Sequence, residues 1–519
     1  MNRERNEWGM LEEFTPSMTN NLEIPLLNAL QIAAQRNHAA FYAPGHKQGK
    51  GTSQNIQKLI GNSVFQADLP ELPELDNLLA PEGAIAAAQE LASETFGAGQ
   101  TWFLVNGSTC GIMAAILATC GMGEKIILPR NIHQSAIAGL ILSGAIPIFV
   151  NPEYDTQAGL AYNVAPAAVE QALEQHPDTK AVMMLHPTYQ GVCSDLKAIA
   201  DLTHQYNIPL LVDEAHGAHF AFHPDLPPSA MSLGADLTVQ STHKTLSSLT
   251  QSSMLHIKGD RLCSQKISRA LQLVQSTSPS YLLLASLDAA RQQMATAGKQ
   301  LMGRAIALSR EAREQIAQIP NLSVFNPKQQ SGCKYLDPTR LTIDVSGLGM
   351  TGFEADEILH EQLGVTCELP LLQHLTFIIS LGNTPADIQK LIEACKTLSR
   401  RDVACYVSTC YVSTPYSLLP TPYSRTDVTF YVSTSYSLPT AKVSPRDAYF
   451  AASETIPIDK AADRLCGELI CPYPPGIPLL MPGEVITIKA IESLKQIVAA
   501  GGTITGCKDP TLETIQTLK

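Results

Sequence analysis

The chain is predicted to be α/β, with a mainly parallel sheet in a large domain and a smaller α+β domain after it. Three observations predict this. First, short continuous apolar runs alternate with helix-length segments from about residue 83 to 244. That alternation calls for a parallel sheet covered on both faces. Second, polar segments rich in His, Ser, Thr and Asp directly follow the apolar runs, at 106–109, 130–133, 186–188, 213–216 and 241–244. Ligands of such sheets bind beyond the carboxyl ends of the strands. Third, the pattern changes near Tyr281, where long amphipathic stretches begin.

Taken in order, residues 1–35 read as an arm with a helix near 25–36, and 41–51 as a glycine-rich loop suited to close backbone approach. Residues 68–82 are irregular and proline-rich, and 83–96 form a strong helix. A strand at 101–105 breaks at Asn106-Gly107, and a helix opens at Ser108 or Thr109. Hydroxyls at a helix N-terminus suit a phosphate, and serve equally as a plain N-cap. Strands follow at 125–128, 146–150, 181–185, 209–212 and 235–239, with helices at 135–143, 165–175 and 196–206 between them. Two helices are expected at 281–298 and 303–319, then a strand at 340–345, a helix at 352–363, a strand at 375–379 and a helix at 385–398. Residues 402–442 repeat Tyr-Val-Ser-Thr three times without amphipathic period, which predicts a disordered or extended surface insertion. The proline-rich stretch 471–484 should be rigid and carry Tyr473 and Glu484 to fixed places, before a last helix at 484–499. The expected divisions are therefore 1–60 (arm and loop), 61–280 (large domain), 281–401 (small domain), 402–442 (insertion) and 443–519 (C-terminal region).

Composition narrows the partners. The net charge is −12, from 36 basic and 48 acidic residues, which argues against nucleic acid. No basic stretch with an apolar run opens the chain and no run of 18 apolar residues occurs, so a soluble, cytoplasmic protein without a membrane span is expected. The 12 cysteines are scattered; Cys405/Cys410 and Cys466/Cys471 lack the spacing of a zinc site, so reduced thiols and no metal are expected.

The strand-end segments supply each group that an aldehyde cofactor needs. Lys244, ringed by small hydroxyl residues, suits imine formation, and pyridoxal phosphate (PLP) is the usual aldehyde. Asp213 can pair with the pyridine nitrogen and keep it protonated. Ser108 and Thr109, with Ser241, can hold the phosphate. His133 can lie over the ring face, and His216 and His243 flank the same centre. Lys244 or His243 could return a proton to the substrate carbon.

Ser241-Thr-His-Lys244 with Gln251-Ser-Ser-Met-Leu-His256 resembles the cofactor-lysine motif of the bacterial ornithine/lysine/arginine decarboxylases, and Asp213-Glu-Ala-His-Gly-Ala-His219 their pyridine-nitrogen motif. Asn106-Gly-Ser-Thr109 and Arg130-Asn-Ile-His133 resemble the phosphate loop and the ring-stacking motif. Ala43-Pro-Gly-His-Lys47, Ser276-Thr-Ser-Pro-Ser280, Pro472-Tyr-Pro-Pro-Gly476 and Met481-Pro-Gly-Glu484 also look like family signatures. The likeness is greatest to the short branch without an N-terminal wing domain. It implies fold type I of the PLP-dependent enzymes (aspartate aminotransferase-like), and decarboxylation of a basic amino acid to the amine and carbon dioxide, feeding polyamine synthesis. Arginine is favoured, lysine or ornithine being the alternatives. It also implies a homodimer or higher homo-oligomer with shared sites, in which Ser276 reaches the partner's site. Glu484 is the candidate for the substrate's cationic side chain; a carboxylate at a helix N-terminus is the other reading of it. The rival functions are another fold-type I reaction, aminotransferase or aldolase, with Arg340 as a possible carboxylate anchor, and a catalytically silent regulatory homologue.

Overall fold

The computed structural model describes residues 22–400 and 442–519. The expectation for 402–442 lies, but for its last residue, outside the described residues.

A seven-stranded sheet organises the fold. Its strands are β1 (Gln100–Leu104), β2 (Lys125–Pro129), β3 (Ile146–Val150), β4 (Thr179–Leu185), β5 (Leu210–Asp213), β6 (Leu237–Gln240) and β7 (Ser253–Ile257). The spatial order is β1-β7-β6-β5-β4-β2-β3. All point one way except β7, which pairs antiparallel with both neighbours. Successive side chains go to opposite faces. Thus Ile126 and Leu128 enter the core under helices Gly107–Thr119 and Gln134–Ser143, while Ile127 enters the core under Pro166–Gln175 and Leu196–Gln205. Burial on both faces explains why these strands read as unbroken apolar runs. Because six strands run in parallel, the segments after β1, β2, β4, β5 and β6 open on one edge of the sheet.

The irregular stretch before Ala84–Phe96 has a defined job. Asp76 accepts N–H bonds from Gly83, Ile85 and Ala86, which caps that helix from eight residues away. Two short helices, Gln54–Ile60 and Asn62–Ala67, and the helix Ser264–Val274 add to the elements expected from sequence.

From Tyr281 the expectation of two helices is corrected. One helix of 36 residues runs from Tyr281 to Ile316. Gly298 and Gly303 do not break it; they admit its neighbours. A Cβ at Gly298 would stand 3.1 Å from Phe222, and one at Gly303 3.3 Å from His223. The N-terminal half of this helix packs into the large-sheet core through Tyr281, Leu284 and Leu287. The other half, through Leu308, Ala312 and Ile316, packs over a four-stranded antiparallel sheet. That sheet holds Ser323–Val324, Arg340–Asp344, His374–Ile378 and Leu369–Pro370, with Pro385–Arg400 beside it.

Residues 442–519 have an apolar core of their own around Ile470, Leu480, Ile486 and Leu494. Ser453–Pro457 pairs with Thr514–Leu518, and Cys471–Tyr473 with Thr503–Thr505. The last helix spans Ile488–Ala499, not 484–499, because the Thr487 hydroxyl accepts from Ala490 N–H and caps it.

Candidate active site

Lys244 lies in the helical turn Thr242–Thr245 that follows β6. Its Nζ stands 3.0 Å from His216 Nε2 and 5.6 Å from the centroid of the Tyr189 ring. Burial pushes the amine's pKa down; Asp213 and Glu368 oppose that and Arg340 adds to it. His216, three residues past β5, is wholly buried. Arg340 donates through Nη2 to its carbonyl oxygen at 3.0 Å and reaches its Nδ1 at 3.3 Å. The Tyr189 ring lies 4.4 Å from the His216 ring, centroid to centroid.

Asp213 closes β5 and is buried. Its Oδ1 accepts from Ala215 N–H at 3.1 Å, and that is the side chain's sole hydrogen bond among the described residues. Burial raises its pKa, against the pull of Lys244 and the Ala215 N–H. His133 is the N-cap of Gln134–Ser143; its Nδ1 accepts from Ser135 N–H at 3.2 Å. Burial, with Lys244 nearby, lowers its pKa to about 4.

The phosphate-type groups also meet. Gly107, at φ +74°, opens the helix Gly107–Thr119. Ser241 Oγ donates to Ser108 Oγ at 2.7 Å, and Thr109 is exposed on the helix's first turn. Ser276 is exposed, its N–H held by Asn106 Oδ1 at 3.0 Å, so within one chain it borders this loop. His243 is half-buried, and its Nδ1 lies 2.8 Å from the Ser252 carbonyl oxygen. A carbonyl only accepts, so Nδ1 carries the hydrogen and Nε2 the lone pair.

Glu484 is corrected. It is neither at a helix N-terminus nor available to a ligand. It is buried, 3.2 Å from Arg130 Nη2, and accepts from Met481 N–H at 2.9 Å. Arg130 also donates to the carbonyls of Pro478 and Leu479. The pair therefore clamps the proline-rich segment onto the sheet edge. That segment brings Gly476 against His133: Gln134 N–H donates to Gly476 O, and a Cβ at Gly476 would stand 3.2 Å from His133 Nε2. Tyr189 hydroxyl donates to Pro475 O, closing the same corner.

Tyr189 and Glu368 were missed in the sequence, and Arg340 was given another role. Tyr189 directly follows the polar strand end 186–188, which was the available signal. Arg340 was noticed only as a possible anchor. Glu368, next to the edge strand Leu369–Pro370, gives no local signal, yet its charge acts on Lys244, Arg340 and Tyr189.

The donor set fits pyridoxal phosphate. It offers a half-buried amine, a buried carboxylate with one oxygen unpartnered, a flat imidazole in a glycine-lined corner, and paired hydroxyls at a helix N-terminus. Among the described residues no group of three or more His, Cys, Asp or Glu could hold a metal, and no helix is long and apolar enough to cross a membrane.

Beneath the site runs a buried polar chain. Thr101 Oγ1 bonds His256 Nδ1, His256 Nε2 bonds Gln240 Oε1, and Gln240 Nε2 donates to Glu214, which also accepts from Ala230 N–H. Burial raises the Glu214 pKa from 4.5 to about 8. An acid whose folded pKa is raised contributes stability that is complete below its unfolded value and declines as pH rises to the folded one. Unfolding free energy is therefore expected to fall between about pH 4.5 and about pH 8, by up to about 1.4 kcal/mol per pH unit, and melting temperature with it. Glu214→Gln should flatten that slope; an equal slope in a thermal series across this range would contradict it.

Comparison with known proteins agrees with the geometry. The family model described as Orn/Lys/Arg decarboxylase, major domain, matches residues 24–387, and that of the C-terminal domain matches 429–506. The chain is 37% identical over 504 residues to an arginine decarboxylase of Bacillus subtilis, covering 96% of this chain and 98% of that one. It is 38% identical over 505 residues to an arginine decarboxylase of Halalkalibacterium halodurans, covering 97% and 99%. Among solved structures, lysine decarboxylase A from Pseudomonas aeruginosa superposes with a TM-score of 0.79 at 22% identity, over 96% of this chain and 81% of that one. That likeness shows the fold, which is fold type I of the PLP-dependent enzymes. With nearly its whole length matched by such relatives, the chain belongs to the Orn/Lys/Arg decarboxylase family.

Proposed function

We propose that the protein decarboxylates arginine, with pyridoxal phosphate held on Lys244, to give agmatine and carbon dioxide. The observation that carries this reading is the convergence of Lys244, Asp213, His216 and His133 at the ends of β6, β5 and β2 on one edge of the sheet. When bound, the cofactor supplies a protonated ring that accepts the electron pair left when the Cα–carboxylate bond breaks.

The chain's residues do the rest. Asp213 holds a proton at the ring nitrogen, because opposite charge favours the charged form. Ser108, Thr109, Ser241 and the N–H groups at the start of the helix Gly107–Thr119 hold the phosphate. His133, held by Ser135 N–H and the Gly476 corner, would cover the ring. His216 and His243 line the same centre. Tyr189 and Pro475 exclude water from the side where Lys244 meets His216. Lys244, once it has taken up the proton that the substrate's ammonium gives up on reacting, would return a proton to Cα; His243, with a lone pair on Nε2, is set to accept one.

Glu368, not Glu484, is assigned to the substrate's cation, since Glu484 is occupied by Arg130. Arginine is favoured over lysine and ornithine because the 37–38% identical relatives are arginine decarboxylases. We further propose a cytoplasmic homodimer that supplies agmatine to polyamine synthesis. Leu249 and Leu273 are 50% and 79% exposed beside Gln251 and Gln275, the two residues that bond the backbone of Val105. A second copy covering them would place its own Ser276 segment near this site.

The test is kcat/KM for arginine, lysine and ornithine in the wild type and in Glu368→Gln. Arginine should lead, and the variant should raise its KM about 10- to 100-fold with a smaller change in kcat, the effect of losing a charged hydrogen bond. An unchanged KM would remove Glu368 from the substrate site.

A further inference from the structure

The His216 ring stands between two nitrogen groups. Arg340 Nη2 lies 3.3 Å from Nδ1, and Lys244 Nζ lies 3.0 Å from Nε2. A guanidinium has donors and no acceptor. Nδ1 must therefore accept, and a neutral imidazole that accepts at Nδ1 carries its hydrogen on Nε2. That N–H is aimed at Lys244 Nζ. Only an uncharged amine has the lone pair to receive it; an ammonium there would set N–H against N–H. We propose that Arg340 is a positioning residue: by fixing His216 as the Nε2–H tautomer, it holds Lys244 as the neutral, nucleophilic amine. The inference rests on the reading of Lys244 as the cofactor lysine.

Arg340 is held through Nη2 alone, its Nε and Nη1 being buried without a hydrogen-bond partner among the described residues. It is wholly buried at the start of the strand Arg340–Asp344, with its Nε 3.8 Å from Asp337 and its Nη2 on the His216 carbonyl. Asp337 is fixed by Thr339 N–H and Oγ1 and by His219 Nε2 at 3.0 Å. The small sheet thus sets the protonation of a lysine on the large one.

Several charges bear on the pair. Lys244 faces Asp213, Glu368, Arg340, His216, His133 and His243, with the Tyr189 ring nearby. His216 faces Lys244, Arg340, His133 and His219. Asp213 and Glu368 favour an ammonium at Lys244; burial and Arg340 oppose it. Burial also keeps His216 uncharged, so it can act only through its tautomer. An arginine that never loses its proton holds that tautomer at any working pH.

The test is reductive methylation of the full-length protein with formaldehyde and dimethylamine-borane from about pH 6 to about pH 9, a range in which ordinary lysines are mostly protonated. Labelling at Lys244 is read by peptide mass spectrometry, with and without pyridoxal phosphate. Wild-type Lys244 should label with a midpoint well below that of exposed lysines. Arg340→Met should move the midpoint up, slowing labelling at pH 7 about tenfold or more, one pKa unit being tenfold. Arg340→Lys, which keeps a donor, should move it back toward wild type. His216→Phe should shift it as Arg340→Met does, and serves if the arginine variant fails to fold. Coincident midpoints in wild type and variants would overturn the proposal, as would an equal drop at every pH. A raised KM for arginine with the midpoint unmoved would assign Arg340 to the substrate instead. If Lys244 labels as expected but pyridoxal phosphate neither protects it nor gives a bound absorbance, the cofactor reading fails and the tautomer assignment stands.

Discussion

Lys244→Ala is expected to lower decarboxylase turnover by about four to six orders of magnitude, the scale of losing a residue that acts with its neighbours as a unit. No other lysine can take its place: Nζ lies against His216 and the Tyr189 ring, and small hydroxyl residues surround the turn that carries it. The variant should also lose the absorbance of covalently held cofactor. Its fold should persist, since Lys244 makes no ion pair within 4 Å among the described residues and its removal empties space on the site side. Turnover measured under saturating arginine, with far-ultraviolet circular dichroism as the folding control, checks both halves. Retention of more than about one part in a hundred of the wild-type rate would show that the lysine is not the reacting amine.

Asp213→Asn should cost about two to four orders of magnitude in kcat while leaving melting temperature equal or higher. The two effects have one cause. A buried carboxylate whose burial raises its pKa, with a single N–H donor to it, is poorly stabilised in the free protein. It becomes well stabilised only when a protonated ring nitrogen faces it. Replacing it with a neutral amide therefore removes the partner of the ring charge and relieves the free protein. Active sites commonly hold stability and activity in opposition in this way. Parallel thermal melts and kcat values are the measurement. A large fall in melting temperature with little change in kcat would make Asp213 a structural residue.

Much of the site was legible because its residues follow strands that are themselves legible. Asn106–Thr109, Arg130–His133, Asp213–His216 and Ser241–Lys244 each trail an apolar run buried on both faces, and a parallel sheet brings such ends together by topology alone. What was missed depends on contacts distant in sequence. The strand β7, Ser-Met-Leu-His-Ile, is short and mixes polar with apolar residues, and nothing local gives its reversed direction. Gly298 and Gly303 read as a break in a helix, whereas their missing Cβ atoms admit Phe222 and His223. Glu484 looked available because its partner, Arg130, is 354 residues away in the chain. Glu368 and Arg340 reach Lys244 and His216 only after the small sheet packs on the large one.

The most direct test of the central claim is product stoichiometry from arginine with the pyridoxal phosphate-loaded protein. One carbon dioxide and one agmatine per arginine consumed, with no need for an added 2-oxo acid, is the predicted result. Formation of a 2-oxo acid from arginine that depends on an added acceptor, with no carbon dioxide released, would contradict it and make the protein an aminotransferase on the same fold.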